Sequence, residues 1–262
     1  MHEYVSVLQS GSFGRNLCGG SLIATNVILT AASCKDQSFD YVSIGSDSVN
    51  TTSDGERIKV KETFIHPKYN AKTGSNDVAV MLLERHSKFT PVKVSYDVVE
   101  AGTPTIVRGW GTQHVQFAAL SELRDVTVSN DQCARWMSPE IANESVVCVG
   151  GKGGKEACLQ GPGYPLTVQD NGSEKMVGLV SRSTGCIEPN TPVVCTRLSS
   201  VRDFVEQHMN NAATPPPVTP RPNTTKPELT PYPFTTWVRT TSLEAITDPP
   251  IKTSPPIAEV TA

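Results

Sequence analysis

The sequence predicts an all-β domain closed by one helix and followed by a disordered tail rich in proline and threonine. Up to about residue 211 the apolar runs are short and bounded by Gly, Asn, Asp and Ser, the pattern of many short strands rather than long helices. Between Ser199 and Met209 the period changes, and Val201, Phe204, Val205 and His208 recur at helical spacing. Beyond that, 12 of the chain's 20 prolines fall in residues 212–262. Such a segment has too little apolar surface to offset chain entropy. The chain therefore divides into a domain over 1–211, long enough for a packed core, and a tail over 212–262.

Taken in order, Ser21 to Ala32, Val78 to Leu83, Thr105 to Trp110 and Lys175 to Ser181 read as strands. The Ser199 to Met209 stripe reads as a helix packing on the domain. In the tail, Thr214-Pro215-Pro216-Pro217 and Pro231-Tyr232-Pro233 suit local polyproline II. Two roles stay open for it: an O-glycosylated spacer, or a docking peptide for a groove that binds polyproline conformations.

The formal charge of -3, without basic clusters, gives no reason to expect a nucleic-acid or anionic-membrane partner. No run of about 20 apolar residues is present to span a bilayer. Met1 to Leu8 has no continuous apolar core of a signal peptide, so a leader is expected to be missing from the start. Neither Cys-x-x-Cys nor His-Glu-x-x-His occurs, and no metal or cofactor is expected.

Several motifs carry chemistry, and they come in a fixed order: Cys18-Gly19-Gly20-Ser21-Leu22-Ile23, Leu29-Thr30-Ala31-Ala32-Ser33-Cys34, Asn76-Asp77-Val78-Ala79, Gly109-Trp110-Gly111, Cys158-Leu159-Gln160-Gly161-Pro162-Gly163-Tyr164-Pro165-Leu166 and Gly178-Leu179-Val180-Ser181. Together they resemble the trypsin-like serine proteases over roughly Val5 to Met209. That resemblance implies a double six-stranded antiparallel β-barrel with a C-terminal helix. It also places Ser33, Asp77 and Pro162 at the triad positions, where the family has His, Asp and Ser.

Acyl transfer by such a triad needs an oxygen nucleophile, an imidazole base and a carboxylate that orients it. Ser33 does not titrate near neutral pH and cannot be the base. Pro162 has neither hydroxyl nor N–H, so it supplies neither the attacking atom nor an oxyanion donor. No serine lies between Glu156 and Ser173, and none of His2, His66, His86, His114 and His208 falls in a motif. His66, in Ile65-His66-Pro67-Lys68-Tyr69, reads as a solvated loop residue. Asp77 reads as a buried acid hydrogen bonded to backbone or to Ser33. The chain is thus expected to be a pseudoprotease rather than an enzyme.

Other departures from the family agree. Gly161 stands where the family has an aspartate that pairs with a new N-terminus, and the N-terminal Ile-Val-Gly-Gly is absent. The family's first strand is expected to be wanting, with Met1 beginning near its second. In the implied substrate pocket, Ser181-Arg182-Ser183 replaces Ser-Trp-Gly and Val193 replaces a glycine, which would fill the pocket. Glu156 reads as a rim carboxylate, or else as a selector for basic residues.

Seven cysteines allow many connectivities. The resemblance implies Cys18 with Cys34, Cys133 with Cys148 and Cys158 with Cys186, leaving Cys195 as a buried inert thiol. Three disulfides, with Asn-x-Ser/Thr sequons at Asn50, Asn143, Asn171 and Asn223, point to a secreted glycoprotein.

Ser33-Cys34, Tyr41-Val42-Ser43-Ile44-Gly45 through Asp54-Gly55-Glu56-Arg57-Ile58-Lys59-Val60, and Ser87-Lys88-Phe89-Thr90-Pro91-Val92-Lys93 resemble the glucanase inhibitor proteins secreted by plant-infecting oomycetes. What this implies is a virulence effector in the host apoplast that binds host endo-β-1,3-glucanase and blocks release of defence-eliciting oligosaccharides. Two other readings are an adhesion glycoprotein of cell wall or matrix and, against the lost triad, an active serine endopeptidase.

Overall fold

The computed structural model describes residues 2–10, 18–36, 38–46, 55–110, 120–151, 161–182 and 191–213, without the side chains of 36, 182 and 211–213. All belong to the first of the chain's two units, Met1–Pro217.

The first barrel is built from β1 (Val5–Gln9), β2 (Gly19–Ala24), β3 (Val27–Thr30), β4 (Tyr41–Ile44), β5 (Glu56–Ile65) and β6 (Ala79–Leu83). It closes in the order β1-β2-β3-β6-β5-β4, every pairing antiparallel. The run Ser21 to Ala32 is two strands rather than one, because the chain turns at Thr25 and Asn26 to pair β2 with β3. All four residues of β3, Val27 to Thr30, are buried, whereas β5 shows Lys59, Lys61 and Glu62 to solvent. A short edge strand, β7 (Lys93–Val94), follows.

The second barrel uses β8 (Pro104–Trp110), β9 (Leu120–Val128), β10 (Val146–Val149), β11 (Pro165–Asp170), β12 (Ser173–Arg182) and β13 (Val193–Arg197). Its order is β8-β9-β10-β13-β12-β11, closed by β11 on β8, with β7 added parallel to β12. The β11–β12 hairpin turns through Asn171 (φ 50°) and Gly172 (φ 76°). Two positive φ values are what a two-residue type I′ turn demands, and Asn-Gly is its preferred sequence. A four-residue helix, α1 (Asn130–Cys133), starts at a capping box made by Ser129 and Gln132.

A 3-10 turn over Leu198–Val201 leads into α2 (Arg202–Ala213), which runs two residues past the boundary drawn at 211. Val201, Phe204 and Val205 are buried beneath it. His208 stacks on Phe64 at 4.4 Å and its Nδ1 lies 2.8 Å from the Phe204 carbonyl. His66 is half-buried and meets the Phe204 ring edge-on at 4.8 Å, so it is not the solvated loop residue expected. Burial, with the nearby Lys68 charge, pushes its pKa down.

One apolar cluster runs through both barrels, from Val5, Leu22 and Val80 to Leu166, Leu179 and Val205. Disulfides join Cys18 to Cys34 and Cys133 to Cys148. Loops of this length contribute about 3 kcal/mol each by restricting the unfolded chain. The second bridge lies in a small satellite core with Val128, Ala142, Val146 and Val194. Cys195 is free and buried, and desolvation drives its thiol pKa far up. The expected Cys158–Cys186 bridge lies outside the described residues.

A buried cation completes the packing. Arg108 is 1% exposed, in a strand that otherwise reads as apolar. Its Nε donates to Glu122 Oε1 at 2.8 Å, and its Nη1 donates to Tyr4 Oη at 3.0 Å, to Thr167 Oγ1 at 3.1 Å and to Glu174 Oε1. His2 lies 3.1 Å from Glu122 and 3.3 Å from Glu174. Burial alone would raise both carboxyls. Hydrogen bonds and the Arg108 charge outweigh it, joined by Thr167 at Glu174 and Arg124 at Glu122, and hold both below the usual range. No described helix is long and apolar enough to cross a membrane.

Candidate functional site

The site is assembled at the junction of the two barrels. Ser33 follows β3 on a 3-10 turn, Ala32–Asp36, whose entry is fixed by the neighbouring Cys18–Cys34 bridge. Asp77 lies just before β6, after Asn76, which holds φ 53°. Asparagine tolerates that left-handed conformation better than most residues. Here Asn76 Nδ2 also donates to the Lys68 carbonyl at 3.0 Å.

Asp77 is 1% exposed, and among the described residues Ser33 and Ser181 donate to its carboxylate. Ser33 N–H donates to Oδ1 at 2.6 Å, Ser33 Oγ donates to Oδ2 at 2.9 Å, and Ser181 Oγ donates to Oδ2 at 2.6 Å. Thr196 Oγ1 donates to the Asp77 backbone carbonyl at 2.9 Å. Ser33 belongs to the first barrel, while Ser181 on β12 and Thr196 on β13 belong to the second. A buried ion so supplied with charge-assisted hydrogen bonds satisfies the condition for keeping charge in a low-dielectric interior. The pair Ser33 and Asp77 was legible in the motifs. Ser181 and Thr196 as further partners were not, since they lie more than 100 residues away.

Pro162 sits in a loop, residues 161–164, stitched to both barrels. Its carbonyl accepts from Gly19 N–H at 2.8 Å, Gly163 N–H donates to the Val180 carbonyl at 2.7 Å, and Val180 N–H donates to the Tyr164 carbonyl at 2.8 Å. Gly163 must be glycine: its φ is 93°, and a Cβ there would come within 2.2 Å of the Gly19 carbonyl oxygen. That same oxygen accepts from Thr30 Oγ1 at 2.7 Å.

Tyr164, part of the Cys158 to Leu166 motif but given no role in it, fills the space between the barrels. It is 2% exposed. A Cβ on Gly19 would lie 2.2 Å from its ring, and one on Gly109 would lie 2.8 Å from it. The Trp110 ring centroid is 6.1 Å away. Burial raises the phenol pKa well above its usual range, against a hydrogen bond with the Trp110 backbone. The signal that could have found it is a glycine in each of two motifs, Gly19 and Gly109, whose missing side chains make room for the ring.

Of the residues expected to remodel a substrate pocket, Val193 is buried in the main core, where β13 pairs it with Val149. Glu156, Ser183 and the Arg182 side chain lie outside the described residues, as do sequons Asn50 and Asn223. Asn143 and Asn171 lie within them. Among the described residues no group of three or more His, Cys, Asp or Glu side chains is placed to hold a metal ion.

Comparison with known proteins agrees with this architecture. The Trypsin family model matches residues 2–205. Glucanase inhibitor protein 1 of Phytophthora infestans is 34% identical, over 77% of this chain and 81% of its own. Glucanase inhibitor protein 2 of Phytophthora sojae is 34% identical over 76% and 72%, respectively. Trypsin 5G1 of Aedes aegypti is also 34% identical, over 76% of this chain and 77% of its own. With two closed six-stranded antiparallel barrels, a C-terminal helix and a family match over most of its length, the chain belongs to the trypsin family.

Proposed function

We propose that this chain is a secreted, proteolytically inactive trypsin-family protein that binds and inhibits a plant endo-β-1,3-glucanase. Identity alone does not separate inhibitor from peptidase, because glucanase inhibitor proteins and an insect trypsin are similar to the chain to the same extent. The observation that carries the reading is the set of hydrogen bonds that Ser33 and Ser181 donate to the Asp77 carboxylate. A carboxylate that orients a histidine needs an imidazole N–H at its oxygens. Here hydroxyls and a backbone N–H occupy them. Pro162, in the position that resembles the nucleophile's, brings no hydroxyl, and its carbonyl is tied to Gly19.

Without hydrolysis, the scaffold acts by presenting a surface. Two barrels that share one core, each with its own disulfide, hold their connecting loops at little entropic cost, which favours a standard interface of about 1,200–2,000 Å². The glucanase-inhibitor relatives supply the partner class. In the direct test, the secreted protein is mixed with glucanase from plant apoplastic fluid, and both co-purification and release of oligosaccharides from β-1,3-glucan are measured. Association with reduced release is expected. Neither association nor reduced release would remove the glucanase reading.

A further inference from the structure

Two of the sequons lie within the described residues, and the fold treats them in opposite ways. We propose that Asn171 carries an N-linked glycan and that Asn143 stays unmodified, its side chain being committed to holding the two barrels together. The proposal rests on the secretory route included in the functional reading above.

Asn143 is half-buried, and its amide is in full use. Nδ2 donates to the Glu140 carbonyl at 2.7 Å and to Ser75 Oγ at 3.2 Å, reaching from a loop of the second barrel to one of the first. Oδ1 accepts from Ser145 N–H at 2.9 Å and from Ser145 Oγ at 2.5 Å. Its backbone carbonyl accepts from Asn130 Nδ2 at 2.8 Å, which binds the segment to α1. An amide has two N–H donors and one carbonyl oxygen. N-glycosylation replaces one Nδ2 hydrogen with a sugar, so one of the two donations is lost and a bulky polar group must enter the space now held by Ser75 or Glu140. The sequon serine, Ser145, is itself spent on the same contact.

Asn171 is the reverse. It is exposed at the tip of the β11–β12 hairpin, where among the described residues its Nδ2 donates sideways, to Asp170 Oδ1 at 2.9 Å. A Cβ built on its neighbour Gly172 finds nothing within 4 Å. The type I′ turn leaves both tip residues, Asn171 and Gly172, exposed among the described residues. A glycan there would lie about 23 Å along β11 from Tyr164, at roughly 3.3 Å per residue.

The test uses the full chain behind a heterologous leader, secreted from a eukaryotic cell, so that its outcome is independent of native export and of glucanase binding. Peptide N-glycosidase in heavy-oxygen water leaves a mass label on each asparagine that carried sugar. Label on Asn171 and none on Asn143 is expected. Label on Asn143 in the folded, secreted protein, or an unlabelled Asn171, would overturn the proposal. A second arm uses unglycosylated protein: Asn143→Asp should lower the urea midpoint clearly, and Asn171→Asp should leave it nearly unchanged. Equal midpoints for the two variants would contradict the assigned roles.

Discussion

Ser33 donates twice to Asp77, through its N–H at 2.6 Å and its hydroxyl at 2.9 Å, so one residue spans both oxygens of a carboxylate that is 1% exposed. Ser181 adds a third donor from the opposite barrel. Asp77 is therefore a structural pin between the barrels, whatever else it does.

Removing either hydroxyl tests the pin. A hydrogen bond to a charged group is worth about 1.5–3 kcal/mol, so Ser33→Ala and Ser181→Ala should each lower stability by about that amount in urea unfolding. The double variant should lose more than either single one. No loss in either single variant would mean that the carboxylate finds other partners.

The Tyr164 wedge should be among the most sensitive places in the core. Tyr164→Ala opens a cavity between the barrels and should cost about 3–5 kcal/mol, the range for large aromatic truncations. The reciprocal change, Gly19→Ala, drives a methyl group into the ring from 2.2 Å. It should destabilise by about 1–3 kcal/mol through overpacking.

The Arg108 cluster sets an acid dependence. Glu122 and Glu174 have folded pKa values below their unfolded ones. Their contribution is fully present above the unfolded carboxylate pKa, about 4.3, and fades as pH falls through the lower folded value. Glu174→Gln should be clearly less stable than the parent at pH 7, and the gap should narrow toward pH 3. A gap in urea midpoint that stays constant with pH would refute this role for the charge.

Thiol counting tests the cysteine assignment. Cys195 is buried with a raised pKa, so native protein should not react with a thiol reagent at pH 8. Unfolded but unreduced protein should label one cysteine. Three labelled cysteines would show that Cys158 and Cys186 are unpaired.

Short-range signals made much of the fold legible. Strand runs such as Thr105 to Trp110, the helical stripe from Val201 to His208 and the Asp77 motif all lie where the structure uses them. What was hidden depends on partners far apart in the chain. Arg108 sits in an apolar strand, and its neutralising partners are 14 and 66 residues away, with Tyr4 at 104. No local pattern marks a buried cation. Tyr164 is similar, since its pocket is made of glycines on β2 and β8. His66 was misread because its burial comes from Phe204, on a helix packed against the strand end.

The measurement that bears most directly on the central claim is active-site labelling with a fluorophosphonate probe, alongside cleavage of an unstructured protein substrate. A barrel junction whose carboxylate accepts from Ser33 and Ser181, with Pro162 in the position proposed to correspond to the nucleophile's, should give neither labelling nor cleavage at any pH from 5 to 9. Labelling that disappears on denaturation, together with cleavage blocked by a serine-directed inhibitor, would contradict it.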